Sequence, residues 1–309
     1  MSSIVIETVL GEYACQDGDI WDAHLHFWGR PHPLVRDETD LILEHETLVK
    51  RELDMFYQAG GRIGVDFGPL DYHRNPEVLV RLSADTGVML LMSAGFYRSP
   101  GVDLFIEDHG AQNLVKRLVR EAQYGEEKTG ARPALYKWST SDQILPGEWA
   151  ALDIITQAYH QTGLPIATHC NRGRLAHQQI DELTKRGVAP EDIIIGHLDM
   201  IPNVTVDELS RVLERGVYIS FDQLGKIKYG SDLGKIALIG QLFARGFGDK
   251  ILCATDIGRR SCLKVFGGAP GFEHIPKVFQ NELAQNGFSP QMIRQLLQIN
   301  PATCYRKRT

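Results

Sequence analysis

Asp19-Ile20-Trp21-Asp22-Ala23-His24-Leu25-His26 is a short apolar run that closes on two histidines one residue apart. In a strand, residues i and i+2 share a face, so this spacing aims the imidazoles of His24 and His26 at one point. Four later apolar runs close on Lys137, His169, His197 and Asp256. Metal-ligand residue types repeated at the ends of predicted strands point to a divalent metal site.

Short β-type runs alternate with longer amphipathic stretches along the whole chain. Strands are predicted near 19–24, 62–67, 88–94, 133–138, 165–169, 192–197, 216–222 and 250–256, each apolar and bounded by turn or polar residues. Helices are predicted at 46–59, 76–86, 111–124, 148–162, 174–187, 204–215, 232–246, 273–286 and 290–299. Pro76, Gly87, Gly187 and Ser289-Pro290 serve as start and stop signals. Alternation of this kind demands a parallel sheet, and eight repeats close it as a (β/α)8 TIM barrel of the α/β class, one domain over residues 1–309. An open doubly wound sheet is the alternative. It would not bring the first, fourth, fifth, sixth and eighth strand ends together. The stretches 99–110 and 259–271 read as the longest loops, and a barrel puts both on the C-terminal face where active sites lie.

Composition narrows the function classes. A chain of 309 residues, 43% hydrophobic, is long enough for a large core. A net charge of −6 argues against nucleic acid or an anionic membrane as partner, leaving a small-molecule substrate, with a homodimer left open. The five cysteines, Cys15, Cys170, Cys253, Cys262 and Cys304, are scattered and form no Cys-x-x-Cys. They support neither a disulfide framework nor a zinc ribbon, and a reducing cytoplasm fits them. The N-terminal segment lacks a basic stretch leading into a long apolar one, so neither export nor anchoring is expected.

The candidate residues divide by chemistry. Asp22 shares a strand face with His24 and is expected to orient an imidazole. His169 and His197, taken singly, also fit core histidines with satisfied hydrogen bonds. Lys137 cannot ligate as an ammonium. Beside two dications it would lose its proton and could take up carbon dioxide as a carbamate, a carboxylate able to bridge two metals. A buried lysine paired with Asp256 and a Schiff-base lysine are the other readings, and the histidine set argues against the second. Asp256 could ligate a metal, handle a proton, or cap its strand.

On these residues the chain resembles the phosphotriesterase branch of the amidohydrolase superfamily, from His24 to the closing Ile299-Asn300-Pro301-Ala302. The segments Thr168-His169 and Ile195-Gly196-His197-Leu198-Asp199 follow the family pattern. The resemblance implies two divalent metal ions, zinc first, with manganese, cobalt or iron as alternatives. His24, His26 and Asp256 would hold one, His169 and His197 the other, and a carbamate on Lys137 would bridge them. The family usually has Glu where this chain has Leu25, whose side chain should point away from the metals. The chemistry expected is attack by a metal-bridging hydroxide on an ester, lactone or phosphoester, with Asp256 accepting the proton and passing it to the leaving oxygen.

The loops after the seventh and eighth predicted strands carry Lys226, Lys228, Arg259, Arg260 and Lys264 in an otherwise acidic chain. They either bind phosphate or form solvated loops and ion pairs with Asp222 and Asp232. They resemble the subgroup that hydrolyses phosphorylated sugar lactones, in which residues at the positions of Lys228 and Arg259 grip the phosphate. Cys262 stands where that subgroup has an assisting tyrosine. The Arg259-Arg260-Ser261 stretch also resembles the phosphotriesterase homology proteins of bacteria. The expected activity is a lactonase acting on a sugar lactone, phosphorylated or not. The alternatives are a phosphotriesterase-type hydrolase of phosphoesters or carboxylesters, and a metal-stabilised binding protein without turnover.

Overall fold

The computed structural model describes residues 4–308. An antiparallel hairpin, β1 (Val5–Thr8) and β2 (Gly11–Ala14), precedes eight parallel strands. These are β3 (Ile20–Leu25), β4 (Gly61–Asp66), β5 (Met89–Phe96), β6 (Pro133–Thr140), β7 (Ile166–Cys170), β8 (Ile193–Ile195), β9 (Tyr218–Phe221) and β10 (Ile251–Cys253), paired in chain order. The sheet closes on itself just past β10. Asp256 N–H donates to His24 O at 2.9 Å and His26 N–H donates to Ile257 O at 3.1 Å. The predicted (β/α)8 barrel is therefore the observed architecture.

Helices follow the strands where the sequence supplies their caps. In α2 (Pro76–Thr86) the Asn75 side chain accepts from Val78 N–H, Pro76 opens the first turn, and Gly87 ends it at φ 72. Thr205 and Glu208 form a reciprocal capping box on α7 (Val206–Leu213). Three features differ from expectation. The hairpin β1–β2 was not predicted. The stretch read as a loop over 99–110 contains α3 (Gly101–His109). The last two predicted helices are each interrupted by a π-type turn, at Ile275–Phe279 and Gln295–Ile299.

Alternation along the strands sorts residues between two layers. Ile193 and Ile195 pack outward with the helices, while Ile194 joins Leu135, Ala167 and Leu252 inside the barrel. That inner cluster draws on all eight barrel strands and on Ile6, Ala302, Cys304 and Tyr305, which seal its lower end. Two residues beyond Leu135 and Ala167, on the same inner face, come Lys137 and His169. The bore thus changes from apolar to ionisable within one residue pair.

Candidate metal centre

At the C-terminal end of the strands, Asp256 Oδ1 lies 3.3 Å from His24 Nε2 and 3.4 Å from His26 Nε2. Ligand atoms of these three residues all fall within 4.8 Å of one another. Alongside, His197 Nε2 approaches His169 Nδ1 to 2.6 Å. The sequence placed His197 and Asp256 at the last position of their strands. Both in fact lie past the strand ends with left-handed backbones, φ 62 and φ 44, which turn their side chains back over the bore. Gly196 permits this, because a Cβ there would stand 2.7 Å from Thr168 O and 3.1 Å from Asp222 Oδ2.

Asp222, which follows β9, ties the two groups together. Its Oδ1 accepts from His197 Nδ1 at 2.9 Å, its Oδ2 accepts from His197 N–H at 3.0 Å, and Oδ2 is 3.4 Å from His24 Nδ1. Engaging both Nδ1 atoms turns both Nε2 atoms toward the centre, the orientation a metal-ligating histidine needs. The sequence reading gave that task to Asp22. Asp22 instead accepts from the backbone of His24 and from the N–H and hydroxyl of Thr255, so it fixes the strand rather than an imidazole. Gln223, also unforeseen, donates from Nε2 to Asp256 Oδ2 at 2.9 Å and to Asp222 Oδ1 at 3.0 Å.

The electrostatics favour ligands over free ions. Burial lowers the pKa of His24, takes His26 down to about 3 and holds His169 well below the usual range, so all three imidazoles keep their lone pairs. Burial opposes a proton on His197 as well, but the Asp222 carboxylate outweighs it and raises that pKa. For Asp256, burial disfavours the charge, yet Lys226 and His24 keep the carboxyl well below its ordinary value. Lys137 is pushed down to about 8 by burial, against the pull of Asp256 and Asp66, and its Nζ donates to Phe67 O at 3.1 Å.

This donor set fits divalent cations. His24 Nε2 and His169 Nε2 are buried without any hydrogen-bond partner, a costly condition that a metal bond would relieve. One carboxylate stands between two neutral imidazoles, and a second pair of imidazoles meets beside it.

The centre forms the floor of a cavity of about 970 Å³ that is lined by His26, Lys137, His169, His197 and Asp256 and, at the rim, by Lys228 and Arg259. Lys228 is exposed, its Nζ 4.6 Å above the Tyr229 ring. Arg259 is not free, since it donates to Glu38 Oε2 at 2.7 Å and Asp40 Oδ2 at 3.1 Å. The alternative reading, in which loop cations pair with Asp222 and Asp232, gives way to other partners. Lys264 pairs with Glu273, and Arg260 donates to Ile42 O at 2.6 Å. Among the described residues no helix is long and apolar enough to cross a membrane.

The chain is similar to known proteins over nearly its whole length. The phosphotriesterase family model matches residues 6–305. The phosphotriesterase homology protein of Escherichia coli is 27% identical over 277 residues, 88% of this chain and 92% of its own. The N-acetyltaurine hydrolase of Tetraodon nigroviridis is 26% identical over 310 residues, 94% of this chain and 86% of its own. The crystal structure of a lactonase from Listeria monocytogenes superposes with a TM-score of 0.90 at 28% identity, covering 99% of this chain and 100% of that one. The chain belongs to the phosphotriesterase family and is a hydrolase acting on ester bonds.

Proposed function

We propose that this member of the phosphotriesterase family is a binuclear metal-dependent lactonase that opens a sugar lactone. The observation that carries the reading is the meeting of His24, His26 and Asp256 with the His169–His197 pair around Asp222, on the floor of one open cavity. His24, His26 and Asp256 would hold one ion and His169 and His197 the other. Lys137 would bridge them after its amine adds carbon dioxide, forming an Nζ–C bond and releasing one proton to give a carboxylate. Divalent ions bound there lower the pKa of water and polarise the carbonyl oxygen under attack.

The remaining work belongs to the chain. Asp256, placed by its turned backbone and by Gln223, accepts a proton from the attacking water and returns it to the alkoxide released by ring opening. Asp222 keeps His24 and His197 facing the centre. Lys228 and Arg259, at the rim, would meet a phosphate on the sugar, and for Arg259 this requires release from Glu38 and Asp40. The lactonase named among the similar structures supports a lactone over a phosphotriester.

The test is a hydrolysis panel on the metal-loaded enzyme containing sugar γ- and δ-lactones, their phosphorylated forms, aryl esters, phosphotriesters and N-acyl amides. Turnover of lactones at the highest kcat/KM is expected. A clear preference for phosphotriesters or amides would overturn the lactone assignment and leave the metal centre standing. No turnover of any member by enzyme with full metal content would favour a binding protein.

A further inference from the structure

On the wall of the cavity facing away from Arg259 stands Arg98, two residues past β5. Its backbone carbonyl accepts from Val102 N–H at 3.2 Å, which fixes it against the first turn of α3. Its guanidinium passes 5.1 Å from the centre of the Tyr97 ring and donates from Nη1 to Asn171 Oδ1 at 2.8 Å, on the loop after β7. The side chain therefore bridges the ends of two strands across β6, the strand that carries Lys137. Arg98 is only 9% exposed, and its Nε is buried with no hydrogen-bond partner.

A desolvated guanidinium with one neutral acceptor is an unbalanced charge. Among the described residues no carboxylate pairs with Arg98. Other cations lining the cavity are paired or exposed: Arg36 is 3.9 Å from Glu38, and Arg172 is exposed to solvent. Arg259 lies between Glu38 and Asp40, Arg174 is 3.8 Å from Asp142, and Lys226 donates to Asp256 O at 2.5 Å. Lys228 is exposed to solvent. Among the described arginines that line the cavity, Arg98 is the buried one without a counter-ion, and held beside Tyr97 it is preorganised to take an oxyanion, because a planar fork already immobilised loses little freedom when it binds.

We propose that Arg98 is a specificity-determining residue that grips an anionic oxygen group on the substrate from the β5–β7 side of the metal centre, as the principal contact to that anion ahead of Lys228 and Arg259 on the rim. This rests on the hydrolase reading above, and it narrows the substrate class to lactones or esters bearing a phosphate, carboxylate or sulfonate. Tyr97 and Asn171 hold the guanidinium in place and are positioning residues.

The test compares Arg98→Met, Arg98→Lys and Arg259→Ala with the wild-type holoenzyme. Each is assayed on one lactone in three forms: phosphorylated, carboxylated, and carrying only a hydroxyl. Arg98→Met should raise KM for a charged form on the order of 10- to 100-fold, with kcat and the neutral form barely changed. Which charged form responds identifies the oxyanion. Arg98→Lys keeps the charge without the fork and should fall between wild type and Arg98→Met. Arg259→Ala should have the smaller effect.

Calorimetric titration with inorganic phosphate supplies a readout independent of turnover. Weaker binding to Arg98→Met and Arg98→Lys than to wild type is expected, even if no lactone turns out to be a substrate. Equal changes in KM for charged and neutral forms, a larger effect of Arg259→Ala, or phosphate affinity unchanged in both Arg98 variants would overturn the proposal. If Arg98→Met does not fold, Arg98→Lys with unaltered KM and phosphate affinity is enough to reject it.

Discussion

The two ends of the barrel bore are built from neighbouring residues of the same strands and have opposite character. Leu135 is followed on its face by Lys137, and Ala167 by His169. At the lower end Tyr305 stacks on Trp21 with ring centroids 6.2 Å apart and donates its hydroxyl to Ala23 O at 3.0 Å, while Ile6 of the hairpin covers the same cluster. At the upper end His197 and Asp256 keep left-handed backbones and three imidazole nitrogens, His24 Nε2, His26 Nδ1 and His169 Nε2, are buried without partners. Each desolvated charge or strained residue there costs on the order of 1–3 kcal/mol or more. The apolar end supplies the rigidity that keeps an unfavourable polar end in one geometry.

The division is tested most strongly at Lys137, the first ionisable residue above the apolar layer on β6. Lys137→Ala should abolish nearly all turnover and lower metal content, measured by elemental analysis, while the melting temperature holds or rises because a buried amine has been removed. Added short carboxylic acids should restore part of the activity by occupying the vacated space. A fully active Lys137→Ala enzyme would end the bridging role. Asp256→Asn keeps the volume and removes the proton acceptor, so kcat should fall by about 10²–10⁴ at full metal content. Near-normal turnover in that variant would assign Asp256 to structure alone.

Asp222 is a polar residue of the upper end that serves both imidazole groups through His24 and His197. Asp222→Asn keeps one acceptor oxygen and cannot hold His24 and His197 together. Metal affinity, read by competition with a chelator, should weaken by roughly 10–100-fold, with activity returning at excess metal. Unaltered affinity would mean that the two histidines are oriented by packing, His24 against Phe67 in particular, whose ring centroid lies 3.7 Å away.

Much of this architecture was legible in the sequence because it is local. A strand two residues longer than its apolar content needs carries its last inward side chain to the mouth, and this pattern exposed Lys137 and His169 directly. The roles of Asp222 and Arg259 were not legible, because each is set by contacts distant in sequence. Asp222 meets His197 across 25 residues, and Arg259 meets Glu38 across 221. Arg98 offered no signal at all, since its significance is a missing partner. The hairpin β1–β2 escaped notice because four-residue strands are too short to display a period, and α3 because nine residues between Pro100 and Gly110 look like loop punctuation.

The smallest expected effect on catalysis comes from the sealed end, and it tests whether the two ends are independent. Tyr305 is 1% exposed and fills the floor beneath Trp21, on the same strand as His24. Tyr305→Ala should cost about 3–5 kcal/mol of stability, as for other large buried aromatics, since the ring leaves a cavity that a rigid barrel cannot collapse. Tyr305→Phe loses only the hydrogen bond to Ala23 O and should cost about 1 kcal/mol. In both variants kcat per metal-loaded folded molecule should stay within about twofold of wild type, because a floor packed apart from the reacting groups changes neither transition-state contacts nor proton transfer. Denaturant midpoints together with metal-normalised kcat decide the matter. A fall in kcat that tracks the loss of stability would show that strand β3 transmits strain from Trp21 to His24, and the bore would then be one mechanical unit rather than two.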